Sequence, residues 1–235
     1  MEFNALFNVK KPTIGMIHLA GSNKSERVRR ALEELTIYER EGINGAIIED
    51  YHGNFEDVEE TLRQSHGKFN IVLGVNVLRN PYSGFKLASD YGAKFVQFDS
   101  VQTRDLNLEF YERMRREFPD VVVLGGVGFK YIPSTGNPLE LDLREGRSRC
   151  EVIVTTGDGT GIETPLDKLR QYKSLLEDFP LIVGAGVNLQ NIHEQLQICD
   201  GAIVGSYFKS DGDTQLPINK SKVANLMNIV RDLRN

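Results

Sequence analysis

Short β-branched runs alternate with longer stretches of helical period along almost the whole of this 235-residue chain. The strand candidates are Thr13–His18, Gly45–Glu49, Asn70–Asn76, Lys94–Phe98, Val121–Val127, Glu151–Thr155, Leu181–Gly184 and Ala202–Gly205. Most are near-continuous apolar runs, as strands covered on both faces require. Between them lie amphipathic segments. Val28, Ala31, Leu32 and Leu35 form an apolar stripe, with Arg29, Arg30, Glu33 and Glu34 placed elsewhere on the same helix. Tyr111, Met114 and Phe118 repeat the pattern, as do Leu169, Tyr172, Leu176 and Phe179, and finally Val223, Leu226, Met227 and Val230. Pro81 and Pro165 suit first-turn positions, with Asn80 and Thr164 as caps.

Strand–helix units repeated in one direction predict an α/β fold, a single (β/α)8 TIM barrel of eight parallel strands spanning residues 1–235. The fifth unit is the weak or irregular one, because its helix has room only within Leu139–Arg147. The alternative is an open doubly wound sheet, which the same alternation permits.

A hydrophobic content of 40% and a net charge of −5 are those of an ordinary globular chain without the basic face that nucleic-acid binding needs. Cys150 and Cys199 are too few for a disulfide framework, so a reducing cytoplasm is the simplest setting. The start MEFNALFNVKK lacks the features of a signal peptide, and no apolar run approaches the roughly 18 residues of a transmembrane helix. Peripheral membrane association and a homo-oligomer are both left open.

In a parallel barrel, function belongs to the C-terminal ends of the strands. There the sequence places His18, Glu49, Asp50, Asn76, Arg79, Asn80, Asp99 and Lys130, followed by Thr155, Thr156, Gly157, Asp158 and Thr160. Two glycine turns, Gly184-Ala185-Gly186 and Gly205-Ser206, follow the last two strands. Asn188 is a plausible cap for a helix beginning near residues 189–191. Paired loop and helix ends of this kind predict a cradle for a phosphate group, and so a small phosphorylated ligand. Glu49, Asp99, Lys130 and His18 are the catalytic candidates. The carboxylates could serve as base and acid or coordinate magnesium beside the phosphate, although no cofactor is required and no zinc-like set occurs. Lys130 reads best as a neutralising charge, with Schiff-base chemistry as the alternative. Asn76, Arg79, Asn80, Thr156, Gly157, Asp158 and Thr160 are assigned to substrate binding.

The stretches KPTIGMIHL, GVNVLRN (Gly74–Asn80), TGDGTG (Thr156–Gly161), VGAGVNLQNI and DGAIVGSYFK (Asp200–Lys209) together resemble the BtpA/SgcQ family, from Lys11 to the final helix. The resemblance implies a TIM-type barrel related to phosphate-binding barrels. The family's named member is linked to photosystem I biogenesis at cyanobacterial membranes, and others occur in bacteria without photosynthesis. By position, the resemblance singles out Glu49, Asn76, Arg79, Asn80 and Lys130. The chain departs from the family in two places. His18 leads into LAGSNKSER where a proline-rich loop is common, and Glu49-Asp50 replaces a Glu-Asn pair.

Two functions follow. One is an enzyme acting on a sugar-phosphate or nucleotide-like metabolite, with isomerisation, bond cleavage and phosphate hydrolysis all open. The other is a non-catalytic phosphate-ligand-binding or assembly factor in membrane or photosystem-type biogenesis.

Overall fold

A computed structural model describes residues 3–234. Eight strands, β1 (Thr13–Ile17), β2 (Gly45–Glu49), β3 (Val72–Asn76), β4 (Phe95–Phe98), β5 (Val122–Gly126), β6 (Val152–Thr156), β7 (Leu181–Gly184) and β8 (Gly201–Val204), pair in parallel in chain order. Pairing of Thr13 with Ala202 and of Gly15 with Val204 joins β8 to β1 and closes the barrel. The open-sheet alternative is thereby excluded.

The helices follow in turn: α2 (Lys24–Glu41), α3 (Phe55–Ser65), α4 (Ser83–Tyr91), α5 (Leu108–Glu117), α6 (Leu139–Arg147), α7 (Leu166–Leu176), α8 (Ile192–Ile198) and α9 (Lys220–Arg234). The fifth unit ends in the nine-residue α6, within the span expected for it. An additional short helix, α1 (Phe3–Phe7), precedes the barrel. None of the described helices is long and apolar enough to cross a membrane. Both cysteines are free and buried.

Side-chain alternation along the strands divides the apolar residues into two cores. Ile17, Ile48, Val75, Val96, Val123 and Ile153 face the helices. Ile14, Met16, Ile47, Phe95, Leu124, Val154, Ile182 and Ile203 fill the barrel, where Phe3, Leu6 and Phe7 of α1 join them. The Phe7 ring lies 6.1 Å from that of Phe95.

Local details differ from the sequence reading. Thr164 does not cap α7, because Pro165 stands at the N-cap and the Thr164 hydroxyl donates to the Gly184 carbonyl (2.8 Å). Helix α4 begins at Ser83, and Asn80 contributes a carbonyl to it rather than a side-chain cap. Glu34, placed on the polar side of α2 by periodicity, is buried against Lys209 with Nζ–O distances of 2.6 and 2.7 Å. A desolvated lysine and carboxylate persist only when paired. This pair therefore ties the segment after β8 to α2.

Gly74 shows how tightly the interior is filled. A Cβ at this position would lie 2.1 Å from the Phe95 ring. Gly74→Ala is expected to destabilise the protein by about 1–3 kcal/mol through overpacking. Phe95→Leu, which makes room, should recover part of that loss in the double mutant. Urea unfolding of the four proteins checks both effects, and strict additivity would contradict the contact.

Candidate functional site

The same alternation that fills the barrel decides what stands at its mouth. On β1 the inward row Ile14, Met16 ends in His18, and on β2 the row through Ile47 ends in Glu49. Phe95 on β4 is followed by Gln97, and Val154 on β6 by Thr156. Gly184 and Gly205 occupy the corresponding places after Ile182 and Ile203. These end members line one narrow cavity of about 50 Å3 together with Lys130, Thr160, Ala185, Gly186 and Ser206. Met16, Val154 and Ile203 form its apolar floor.

One wall is acidic and tightly bonded. Asn76 Nδ2 donates to Glu49 Oε1 (2.9 Å) and to Asp99 Oδ1 (3.2 Å), and Gln97 Nε2 donates to the same Asp99 oxygen (3.1 Å). Burial, reinforced by the Asp99 charge, pushes the Glu49 carboxyl up to about 8, against the opposing effects of Lys130 and the Asn76 hydrogen bond. Burial also raises Asp99, but the amides of Gln97 and Asn76 favour its charged form. The two carboxyl groups therefore differ in environment, and the proton resides more readily on Glu49.

His18 is buried as well. Desolvation and the nearby Lys209 and Lys130 charges hold it well below the usual imidazole range, so the ring is neutral at pH 7. Its Nδ1 has no hydrogen-bond partner among the described residues, and the same is true of Gln97 Oε1. Both residues line the cavity. Orphaned polar atoms in such a place are rare in folded proteins.

The opposite wall is built from backbone. Among the described residues, the N–H groups of Gly186, Val187, Gly205 and Ser206 donate to no other protein group. Ala185 and Gly186 both have positive φ, 59° and 62°. The non-glycine Ala185 stores strain of about 1–3 kcal/mol in holding that turn. Asn188 and Asn191 both donate side-chain amides to the Gly186 carbonyl at 3.0 Å, which fixes its peptide plane. The geometry differs from the sequence expectation in two respects. Helix α8 starts only at Ile192, with Asn191 at its cap, and β8 is followed by two short 3-10 turns, Ser206–Phe208 and Ser210–Gly212. Any cradle here therefore relies on free loop N–H groups more than on helix ends. Gly186 also has a packing reason for being glycine, since a Cβ there would lie 2.3 Å from the Ile162–Glu163 backbone.

The remaining candidates divide between this cavity and its surroundings. Lys130 is half-buried, donates from Nζ to Thr160 Oγ1 (3.1 Å) and from its backbone N–H to Thr156 Oγ1 (2.6 Å). Gly157 and Asp158 line a neighbouring cavity instead. Arg79 and Asn80 are exposed on the loop after β3 and line neither. Asp50 orders that loop by accepting the Leu78 N–H (2.8 Å). No group of three or more His, Cys, Asp or Glu side chains that could hold a metal occurs among the described residues. Asp99 is met by amide donors rather than by further acceptors. Gln97 escaped the sequence reading, although its parity with Phe95 marks it as the inward polar residue of an otherwise apolar strand.

The model of the BtpA family matches residues 9–232. An uncharacterised protein of Pyrococcus horikoshii is 28% identical, covering 100% of this chain and 99% of its own length. The photosystem I biogenesis protein BtpA of Synechocystis is also 28% identical, covering 95% of this chain and 89% of its own. Among solved structures, N-(5'-phosphoribosyl)anthranilate isomerase of Pyrococcus furiosus superposes with a TM-score of 0.65 at 16% identity, covering 94% of this chain and 99% of that one. Thiamine phosphate pyrophosphorylase of the same organism gives 0.68 at 15%, covering 99% and 100%. At these identities the two structures share the fold with this chain.

The raised Glu49 carboxyl makes stability depend on pH. Its ordinary value is 4.5 and its folded value about 8, so the folded state holds an extra proton between them. Stability should therefore fall as pH rises through that window and level off above it, by a few kcal/mol at most. Glu49→Gln keeps the acceptor for Asn76 but cannot ionise. Its melting temperature should gain on the wild type progressively from pH 5 to pH 8, and parallel profiles would contradict the shift.

Proposed function

The chain belongs to the BtpA family, and we propose that it is an acid–base enzyme acting on a small phosphorylated metabolite at the C-terminal mouth of the barrel. One observation carries this reading. A wall of free backbone N–H groups and a wall holding a carboxyl raised by burial face each other around one cavity. The first suits a phosphate oxygen, because preorganised N–H groups need no reorganisation to meet an anion. The second suits proton transfer, because an acid poised near 8 can both give and take a proton near neutral pH.

In this reading the phosphate lies on Gly186, Val187, Gly205 and Ser206, which anchors the ligand and directs its reacting end toward Glu49. Glu49 donates the proton, and Asp99, held by Asn76 and Gln97, stabilises the positive charge that develops. Lys130 neutralises charge at the mouth. Two fold neighbours whose names include phosphoribosyl and thiamine phosphate give the anion site a precedent of architecture only. The name of the Synechocystis relative suggests an assembly role. Convergence of so many polar groups on one cavity favours chemistry over assembly alone. Location in the cytoplasm is part of the same proposal.

Ser206→Asp tests the anchoring half. Ser206 is only partly buried, so the fold should persist, but the aspartate charge would oppose an anion. Titration calorimetry should show inorganic phosphate binding to the wild type and at least tenfold weaker binding to the variant. Equal binding by both proteins would refute the cradle.

A further inference from the structure

Beside the central cavity, and meeting it at Phe129 and Lys130, lies a larger one of about 420 Å3 under the loops that follow β4, β5 and β6. That volume falls within the range of small-molecule sites. Three features indicate what it accepts.

The first is an orphaned acceptor. Gln102 is only 4% exposed, and its Nε2 donates to the Asp142 carbonyl (3.1 Å), which fixes the orientation of the amide. Its Oε1 has no partner among the described residues, and the residue lines the cavity. A buried amide oxygen left without a donor is costly. This one is closed to solvent, so a ligand N–H or O–H in the cavity satisfies it through a small turn of the Gln102 side chain.

The second is Tyr131. Its backbone φ is 62°, a conformation that a bulky residue rarely adopts, and 68% of the residue is exposed. Its hydroxyl donates to Thr160 Oγ1 (3.3 Å) and accepts the Thr160 N–H (3.0 Å), which pins the ring at the edge of the cavity. Strain that displays an aromatic face at a cavity is characteristic of a ligand contact rather than of packing.

The third is charge. The lining holds three carboxylates, Asp99, Asp142 and Asp158, and three cations, Arg104, Lys130 and Lys168. The Arg104 guanidinium is already engaged by the Pro133 and Ser134 carbonyls, and Lys168 Nζ by those of Gly128 and Thr156 (2.7 Å each). A second phosphate would find no surplus of positive charge here. A neutral group needs none.

We infer that this side cavity holds a neutral, nucleobase-like heterocycle that stacks on Tyr131 and gives an N–H to Gln102 Oε1. The substrate class is thus a phosphorylated molecule of two parts, nucleoside-monophosphate-like, with the phosphate on the loops after β7 and β8 and the ring under the loop after β5. The inference rests on the phosphate anchoring proposed above.

Calorimetry of the full chain with inorganic phosphate, ribose 5-phosphate and the four common ribonucleoside 5'-monophosphates tests it. At least one nucleotide should bind tenfold or more tighter than ribose 5-phosphate. Gln102→Leu and Tyr131→Ala should each bring that ratio close to one, and the exposed Tyr131 provides a variant should the buried one fail to fold. Ribose 5-phosphate matching every nucleotide in the wild type would overturn the ring subsite while leaving the anion cradle standing. So would variants that weaken both ligands in proportion. If neither phosphate nor any phosphorylated probe binds, the anchoring fails and the ring subsite with it.

Discussion

Closing the sheet by pairing β1 with β8 is the constraint from which the rest follows. Once the strands encircle a common interior, alternate side chains of each must fill it, and the last inward position of each arrives at one mouth. Apolar residues occupy the inner levels, from Ile14 and Ile47 to Phe95 and Val154. His18, Glu49, Asn76, Gln97 and Thr156 then stand above them, almost fully buried although polar. Desolvation at that level holds His18 low and raises the Glu49 carboxyl, so these shifts are a consequence of barrel geometry.

The supporting contacts are concentrated where the loops must be held. The Gly186 peptide is fixed by Asn188 and Asn191 and by the close approach of Ile162–Glu163. Lys209 and Glu34 secure the segment after β8 to α2 in the interior, and Lys222 Nζ donates to the Lys209 carbonyl (2.9 Å). Gly205 lies close to the His18 ring, where a Cβ would be 3.2 Å from Cε1. The loop after β8 is therefore packed against the His18 ring.

Much of this was legible beforehand, because period-two and period-3.6 patterns are local properties of the chain. Eight apolar runs and the helices between them specify a barrel once closure is assumed. The mouth residues His18, Glu49, Asn76, Asp99 and Lys130 could be read from their places at strand ends, and the glycine turns after β7 and β8 from their composition. Pairwise geometry was not legible. Nothing local indicates that Asn76 bridges Glu49 and Asp99, that Glu34 turns inward to meet Lys209 across 175 positions of sequence, or that Arg79 and Asn80 stay exposed. Gln97 was readable in principle, since it shares the parity of Phe95, but a single glutamine in an apolar run carries no motif.

The central claim is that the free N–H groups after β7 and β8 and the Glu49–Asn76–Asp99 network are two walls of one ligand site. A crystal structure of the protein grown in phosphate tests it most directly. The account predicts tetrahedral density about 3 Å from the backbone nitrogens of Gly186 and Ser206, with its open side toward Glu49. Well-ordered loops with no anion there, under phosphate concentrations that fill sites elsewhere on the protein, would contradict it.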